Sequence, residues 1–245
     1  KMLEVLKNTT YRHLFLAQVI ALIGTGLITI ALALQAYDIA KGEAAQVLGI
    51  ALAIKMIAYI GVAPIASAFA ERLPRKKVLV GLDIIRALTA LCLPFVTQIW
   101  QIYILIFILQ SASAAFTPTF QAMIPDVLPE EKDYTNALSL SRLAYDLENI
   151  ISPMLAGFLL GFISYHNLFL GTVIGFIGSA LFVVSAKLPA AKVPVFKGVY
   201  YRIKQGTKIY FNTPRLKALL ALNLAIASAS AVVIVNTVVL VQSTF

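Results

Sequence analysis

Glu71-Arg72-Leu73-Pro74-Arg75-Lys76-Lys77 decides the fold: one acid and four bases lie between two hydrophobic runs, each long enough to cross a bilayer. So short a connection folds two helices into an antiparallel hairpin. Its four cations hold the turn on the cytoplasmic side, because loops rich in Lys and Arg stay there during insertion. Working outward in both directions, the chain is 60% hydrophobic and only 13% charged, with a mean hydropathy of +0.88. A single soluble core cannot hide that much apolar surface, so the chain is an all-α integral membrane protein. The net charge of +9 sits in a few short loops beside apolar helices. That is a topogenic pattern and not a groove-binding surface, which argues against a nucleic-acid partner.

A hydrocarbon layer of ~30 Å takes ~20 residues of helix to cross. Seven segments have about that length: 14–37, 47–70, 78–97, 99–123, 137–165, 168–186 and 218–241. All are expected to be helical, since an open strand would leave backbone groups unpaired in lipid. Lys and Arg alternate between the connections: three in 1–13, four in 71–77, one in 124–136 and eight in 187–217, whereas the opposite side holds Lys41 alone. This asymmetry places the N-terminus in the cytoplasm, with 38–46, the turn near Gln98 and the turn near His166 facing out. Trp100, Tyr103 and Tyr165 then fall near the outer interface. Connections are short through residue 186, whereas 187–217 is long, basic and punctuated by Pro189, Pro194, Gly198, Gly206 and Pro214. Residues 1–186 are therefore expected to form one six-helix domain and 187–217 a cytoplasmic linker. Residues 218–245 are expected to open a second domain. Within the linker, Val195 to Lys204 mixes aromatics with bases; it reads either as a helix lying on the anionic inner leaflet or as a solvated connection. The chain starts with Lys and ends just past an apolar helix, which reads as a piece of a longer protein. Cys92 has no partner for an intramolecular disulfide.

The opening loop resembles the signature between helices 2 and 3 of major facilitator superfamily transporters: a small residue, an acid four positions later, an Arg, a turn residue and a basic cluster. Ser67, Glu71, Arg72, Pro74 and Arg75-Lys76-Lys77 take those places, with Ser67 where Gly is usual, Glu71 for Asp and Pro74 for Gly. Ile124-Pro125-Asp126-Val127-Leu128-Pro129-Glu130-Glu131, followed by Asn136-Ala137-Leu138, resembles the connection between helices 4 and 5 in the bacterial exporter branch that includes siderophore, macrolide and nickel-resistance permeases. Ser152-Pro153 with Ala156-Gly157 is similar to an element associated with antiporters, although Gly is missing at 152 and 156. The uncharged fourth span excludes proton coupling through an Arg that many members carry there. The resemblance implies the six-helix N-terminal half of a twelve-helix major facilitator fold plus the first helix of the second half, working by alternating access in the inner membrane. It implies a gate in which Glu71 with Arg72, Arg75 and Lys76 fastens the cytoplasmic ends of the two halves. No cofactor is implied; the partners are lipid, protons and a small-molecule or ion substrate.

In that fold helices 1, 4 and 7 surround a central cavity while 3 and 6 face lipid, and helical spacing offers an independent check. Gln18, Thr25 and Thr29 share a face of the first span; Gln110, Ser113, Thr117 and Gln121 share one on the fourth; Asn223, Ser230 and Thr237 share one on the seventh. Such stripes either mediate helix packing or line a polar pathway.

Ionisable residues within the spans are sharper pointers, because a charge at mid-depth persists only where it is paired, wetted or used. Lys55 lies roughly 12 Å into the second span at 1.5 Å per residue. Asp83 and Arg86, three apart and read as near the cytoplasmic end, suit a structural ion pair. Arg142 and Asp146, four apart, can neutralise each other, which leaves Glu148 without a local partner. Lys55 and Glu148 either pair across helices or titrate during transport, so Glu148, Asp146, Lys55 and Arg142 are the proton-coupling candidates. No metal-binding cluster, nucleotide-binding glycine loop or nucleophile with an adjacent base is present, which argues against an enzyme or an ATP-driven pump. The expectation is proton-coupled export of a small organic compound such as a drug or siderophore. The alternatives are a divalent metal exporter of the nickel type and, from another class, a seven-helix receptor.

Overall fold

In a computed structural model, residues 2–70, 73–188 and 199–244 are described, and every regular element among them is helical. The long helices are α1 (Thr9–Ala40), α2 (Ala44–Ala70), α3 (Arg75–Cys92), α4 (Ile99–Val127), α5 (Glu131–Leu160), α6 (Tyr165–Ser185), α7 (Val199–Asn212) and α8 (Pro214–Thr244). Among the described residues six of them, α1 to α6, are long and apolar enough to cross a membrane. The seventh expected span, 218–241, falls inside the 31-residue α8. Of the expected linker, 189–198 lies outside the described residues, α7 covers 199–212, and α8 takes 214–217.

Local sequence sets the helix ends. Pro74 stands just before α3, where its missing N–H costs nothing. Gln98 and Gln101 cap the start of α4 reciprocally, each side chain meeting the other's backbone N–H. Glu131 and Asp133 occupy the first turn of α5, where carboxylates complement the helix dipole. The turn expected near His166 lies earlier. Gly161 ends α5, Ser164 in an extended conformation precedes α6, and His166 stacks on Tyr165 at a centroid separation of 4.1 Å inside the first turn of α6.

α1 runs through the middle of the bundle and packs most extensively on α6. Glycine permits that approach: a Cβ on Gly175 would lie 3.4 Å from the Gly24 Cα and 3.3 Å from the Ile20 carbonyl oxygen. Thr172 Oγ1 donates to the Gly24 carbonyl at 3.0 Å. α3 packs on α6 and α4, α2 packs on α4, and α5 packs on α1. The outward faces of α3 (Ile84, Leu88, Leu91) and α6 (Ile174, Ile177, Leu181) are exposed and apolar, as lipid contact requires. α7 and α8 lie against α2.

Two apolar clusters fill the interior. One, toward the C-terminal end of α1, includes Leu27, Ile28, Ile102, Ile106, Phe169 and Phe176. The other, toward its N-terminal end, includes Tyr11, Leu14, Leu79, Phe120, Ile124 and Val183. The N-termini of α1, α3 and α5 and the C-termini of α4 and α6 meet at that second end, so short antiparallel connections account for the arrangement.

Candidate functional site

A cavity of about 200 Å³ opens between the two apolar clusters, at mid-height of the bundle, with walls from five helices. Helical spacing puts Gln18 and Thr25 of α1, Ser113 and Thr117 of α4, and Glu148 with Tyr145 and Asn149 of α5 on its surface. α2 contributes Lys55 and, one turn on, Tyr59; α3 contributes Arg86. Several polar groups are already committed. Ser141 Oγ donates to Gln18 Oε1 at 2.9 Å, and Thr25 Oγ1 donates to the Ala21 carbonyl at 2.9 Å within its own helix. A 3.1 Å hydrogen bond joins the hydroxyls of Thr117 and Tyr145, linking α4 to α5 across the cavity floor.

Arg86 sits where the two apolar clusters meet. Its guanidinium carbon lies 4.3 Å from the Phe116 ring centroid and 4.5 Å from that of Phe176, one ring from each cluster. It forms an ion pair with Asp83, whose other oxygen accepts from Ser179 Oγ at 2.7 Å. Arg86 is 3% exposed and Asp83 0%. The pair anticipated from the three-residue spacing therefore forms, but its position differs from expectation. Arg86 is eleven residues beyond the first residue of α3, ~16 Å along the axis, and it reaches the cavity wall. Its Nε has no hydrogen-bond partner among the described residues.

Lys55 and Glu148 occupy different walls. α2 packs on α4 and α5 on α1, and α2 and α5 make no comparable contact with each other. No ion pair within 4.0 Å joins Lys55 to Glu148 among the described residues, so the cross-helix contact considered from sequence is not made. Glu148 instead lies against Gly26 of α1, where a Cβ would stand 2.7 Å from its Oε1 and overlap the Ser152 side chain.

Other candidates fall elsewhere. Arg142 and Asp146 do neutralise each other, at 3.2 Å, but on the open side of α5, with side chains 78% and 56% exposed. Gln110 is buried without lining the cavity, and its Oε1 lacks a partner. Thr29 and Gln121 are exposed and lie one turn along the axis beyond Thr25 and Thr117, the last residues of their stripes on the cavity wall. Asn223, Ser230 and Thr237 are exposed on α8 and do not line this cavity.

Glu71 and Arg72 of the expected gate lie outside the described residues. Its other bases act inside the bundle. Arg75 pairs with Asp126 and donates to the Ala122 carbonyl at 2.8 Å at the end of α4. Lys76 Nζ donates to the Ala186 carbonyl at 2.8 Å, capping α6. Cations at helix C-termini complement the dipole and take up orphan carbonyls. Spacing missed Tyr59 and Arg86 as cavity residues. Tyr59, four positions after Lys55, carried a usable signal; Arg86 carried only its charge inside an apolar run. Among the described residues no group of three His, Cys, Asp or Glu side chains is arranged to hold a metal ion.

A family model described as Major Facilitator Superfamily matches residues 14–245. The chain is 28% identical over 158 residues to an uncharacterized MFS-type transporter, YfiS, of Bacillus subtilis (strain 168), covering 62% of this chain and 38% of that protein. It is 25% identical over 177 residues to macrolide efflux protein A of Streptococcus pyogenes, covering 70% and 43%. It is 26% identical over 150 residues to macrolide efflux protein A of Enterococcus faecalis, covering 59% and 46%. The chain thus spans less than half the length of these relatives.

Proposed function

Because the chain belongs to the Major Facilitator Superfamily, a family of membrane transporters, we propose that the protein is a secondary active transporter that exports a small organic compound in exchange for protons by alternating access. The observation that carries this reading is the cavity between the apolar clusters, with Lys55 and Glu148 on different walls and neither in an ion pair among the described residues. Charges at that depth are retained where water or a ligand reaches them. Glu148 is the proton carrier in this reading, faced by Lys55 and Tyr59 of α2, Arg86 of α3 and its own neighbour Tyr145. Arg142 and Asp146 support the open side of α5 and do not take the proton. The similarity to two macrolide efflux proteins favours an organic substrate over the divalent cation alternative. Membership of a transporter family disfavours a receptor.

In the same reading residues 1–186 act as the first six-helix domain, 187–217 as a basic cytoplasmic linker and 218–245 as the start of a second domain. The N-terminus then lies in the cytoplasm of a cell whose inner membrane holds the protein. Everted vesicles carrying Glu148→Gln test the coupling. Proton-driven accumulation of an exported compound should vanish while exchange of that compound between the two sides persists, since exchange requires no net proton movement. Accumulation at the wild-type level would leave Glu148 with no coupling role.

A further inference from the structure

We infer that the cavity recognises a zwitterion, a small organic molecule carrying an amine and a carboxylate a few bonds apart, held between Glu148 and Lys55. This rests on the exporter reading above and adds the chemical class of its substrate. Among the charged residues lining the cavity, Arg86 is neutralised from behind by Asp83, so the net field is set by Lys55 on the α2 wall and Glu148 on the α5 wall. Among the described residues neither makes an ion pair, although the cavity holds both. Two opposite charges that face one space without touching are satisfied together by a ligand with the reverse order of charge. A singly charged ligand would satisfy one and leave the other uncompensated in a low-dielectric interior.

Two further features fit the carboxylate end and the body of such a ligand. Arg86 lines the cavity, so its side chain adds a cationic group at that wall whose net charge Asp83 cancels. Tyr59, Phe116 and Tyr145 offer ring surface between the charged walls. The volume of about 200 Å³ is below the ~300–1,000 Å³ of sites that enclose a whole drug-sized ligand. It suits the charged end of a molecule whose remainder projects from the cavity mouth. The order of charges also agrees with proton exchange, because a proton on Glu148 removes the partner of the ligand's amine.

The test is efflux by the protein, expressed from its complete reading frame in a strain stripped of other exporters, of one fluorescent scaffold in three charge forms. Nε-dansyl-lysine carries both charges on one carbon, its ethyl ester the amine alone and its Nα-acetyl derivative the carboxylate alone; erythromycin serves as an independent substrate. The expected result is preference for Nε-dansyl-lysine over both derivatives by roughly tenfold or more, the scale of one charged hydrogen bond. Lys55→Gln should erase the advantage over the ester in efflux, and Glu148→Gln, read in vesicles as exchange because that variant keeps exchange alone, should erase the advantage over the N-acetyl form. Equal transport of the three forms, or a preference untouched by Lys55→Gln, overturns the inference. Efflux of erythromycin with none of the three moved also overturns it while leaving the exporter reading intact. No efflux of any of the four, with normal membrane expression, removes both.

Discussion

Replacing Arg86 by Met removes a charge, a donor and two ring contacts while keeping most of the volume. The carboxylate of Asp83 is then stranded at 0% exposure with only the Ser179 hydroxyl at 2.7 Å. Breaking a buried pair by deleting one partner costs about 3–5 kcal/mol, because the remaining charge is uncompensated. Loss of a desolvated cation stacked on Phe116 and Phe176 adds about 1–2 kcal/mol, against a total stability on the order of 5–15 kcal/mol. The single variant should therefore lose a large share of its folded yield. Adding Asp83→Asn removes the stranded charge and keeps a partner for Ser179, so the double variant should recover all but about 1–2 kcal/mol, the ring term. Midpoints of thermal unfolding in detergent, read by tryptophan fluorescence from Trp100, give both values. If the Arg86→Met protein melts within a few degrees of wild type, or if the double variant is no better than the single, the pair is not the brace described above.

Gly26→Ala would push a methyl into Ser152 and against Glu148 Oε1, so it should destabilise by about 1–3 kcal/mol, as overpacked sites do; Ser152→Gly in the same chain should restore the melting temperature. For orientation, single cysteines placed at residues 43 and 200 in a Cys92→Ala background should react with an impermeant maleimide in intact cells at 43 only. Labelling at 200 but not at 43 would reverse the membrane topology.

The apolar runs announced α1 to α6 because nothing except a bilayer accepts helices so apolar for so long, and only the ends needed capping detail. The turn after α5 shows the limit: Gly161 and Ser164 set it, while the apolar run continues past them to Tyr165. Within the site, Gln18, Thr25, Ser113 and Thr117 were legible because helical spacing gathers them on cavity faces. Thr29 and Gln121 share those stripes yet are exposed, since helical spacing fixes the face a residue is on but not how far along the axis the cavity extends. Arg86 was legible as one half of a pair but not as a cavity residue. Which side of α3 looks inward depends on how it crosses α4 and α6, and no pattern within α3 encodes that crossing.

The cap on α6 also has a mechanical side. Lys76 grips the Ala186 carbonyl from α3, and Thr10 Oγ1 grips the next carbonyl, that of Lys187, from α1 at 3.2 Å. A pull on the chain beyond residue 188 therefore cannot simply peel the last turn of α6. It meets two attachments on two different helices, α3 and α1. A force applied at residue 188 would reach α1 and α3 together.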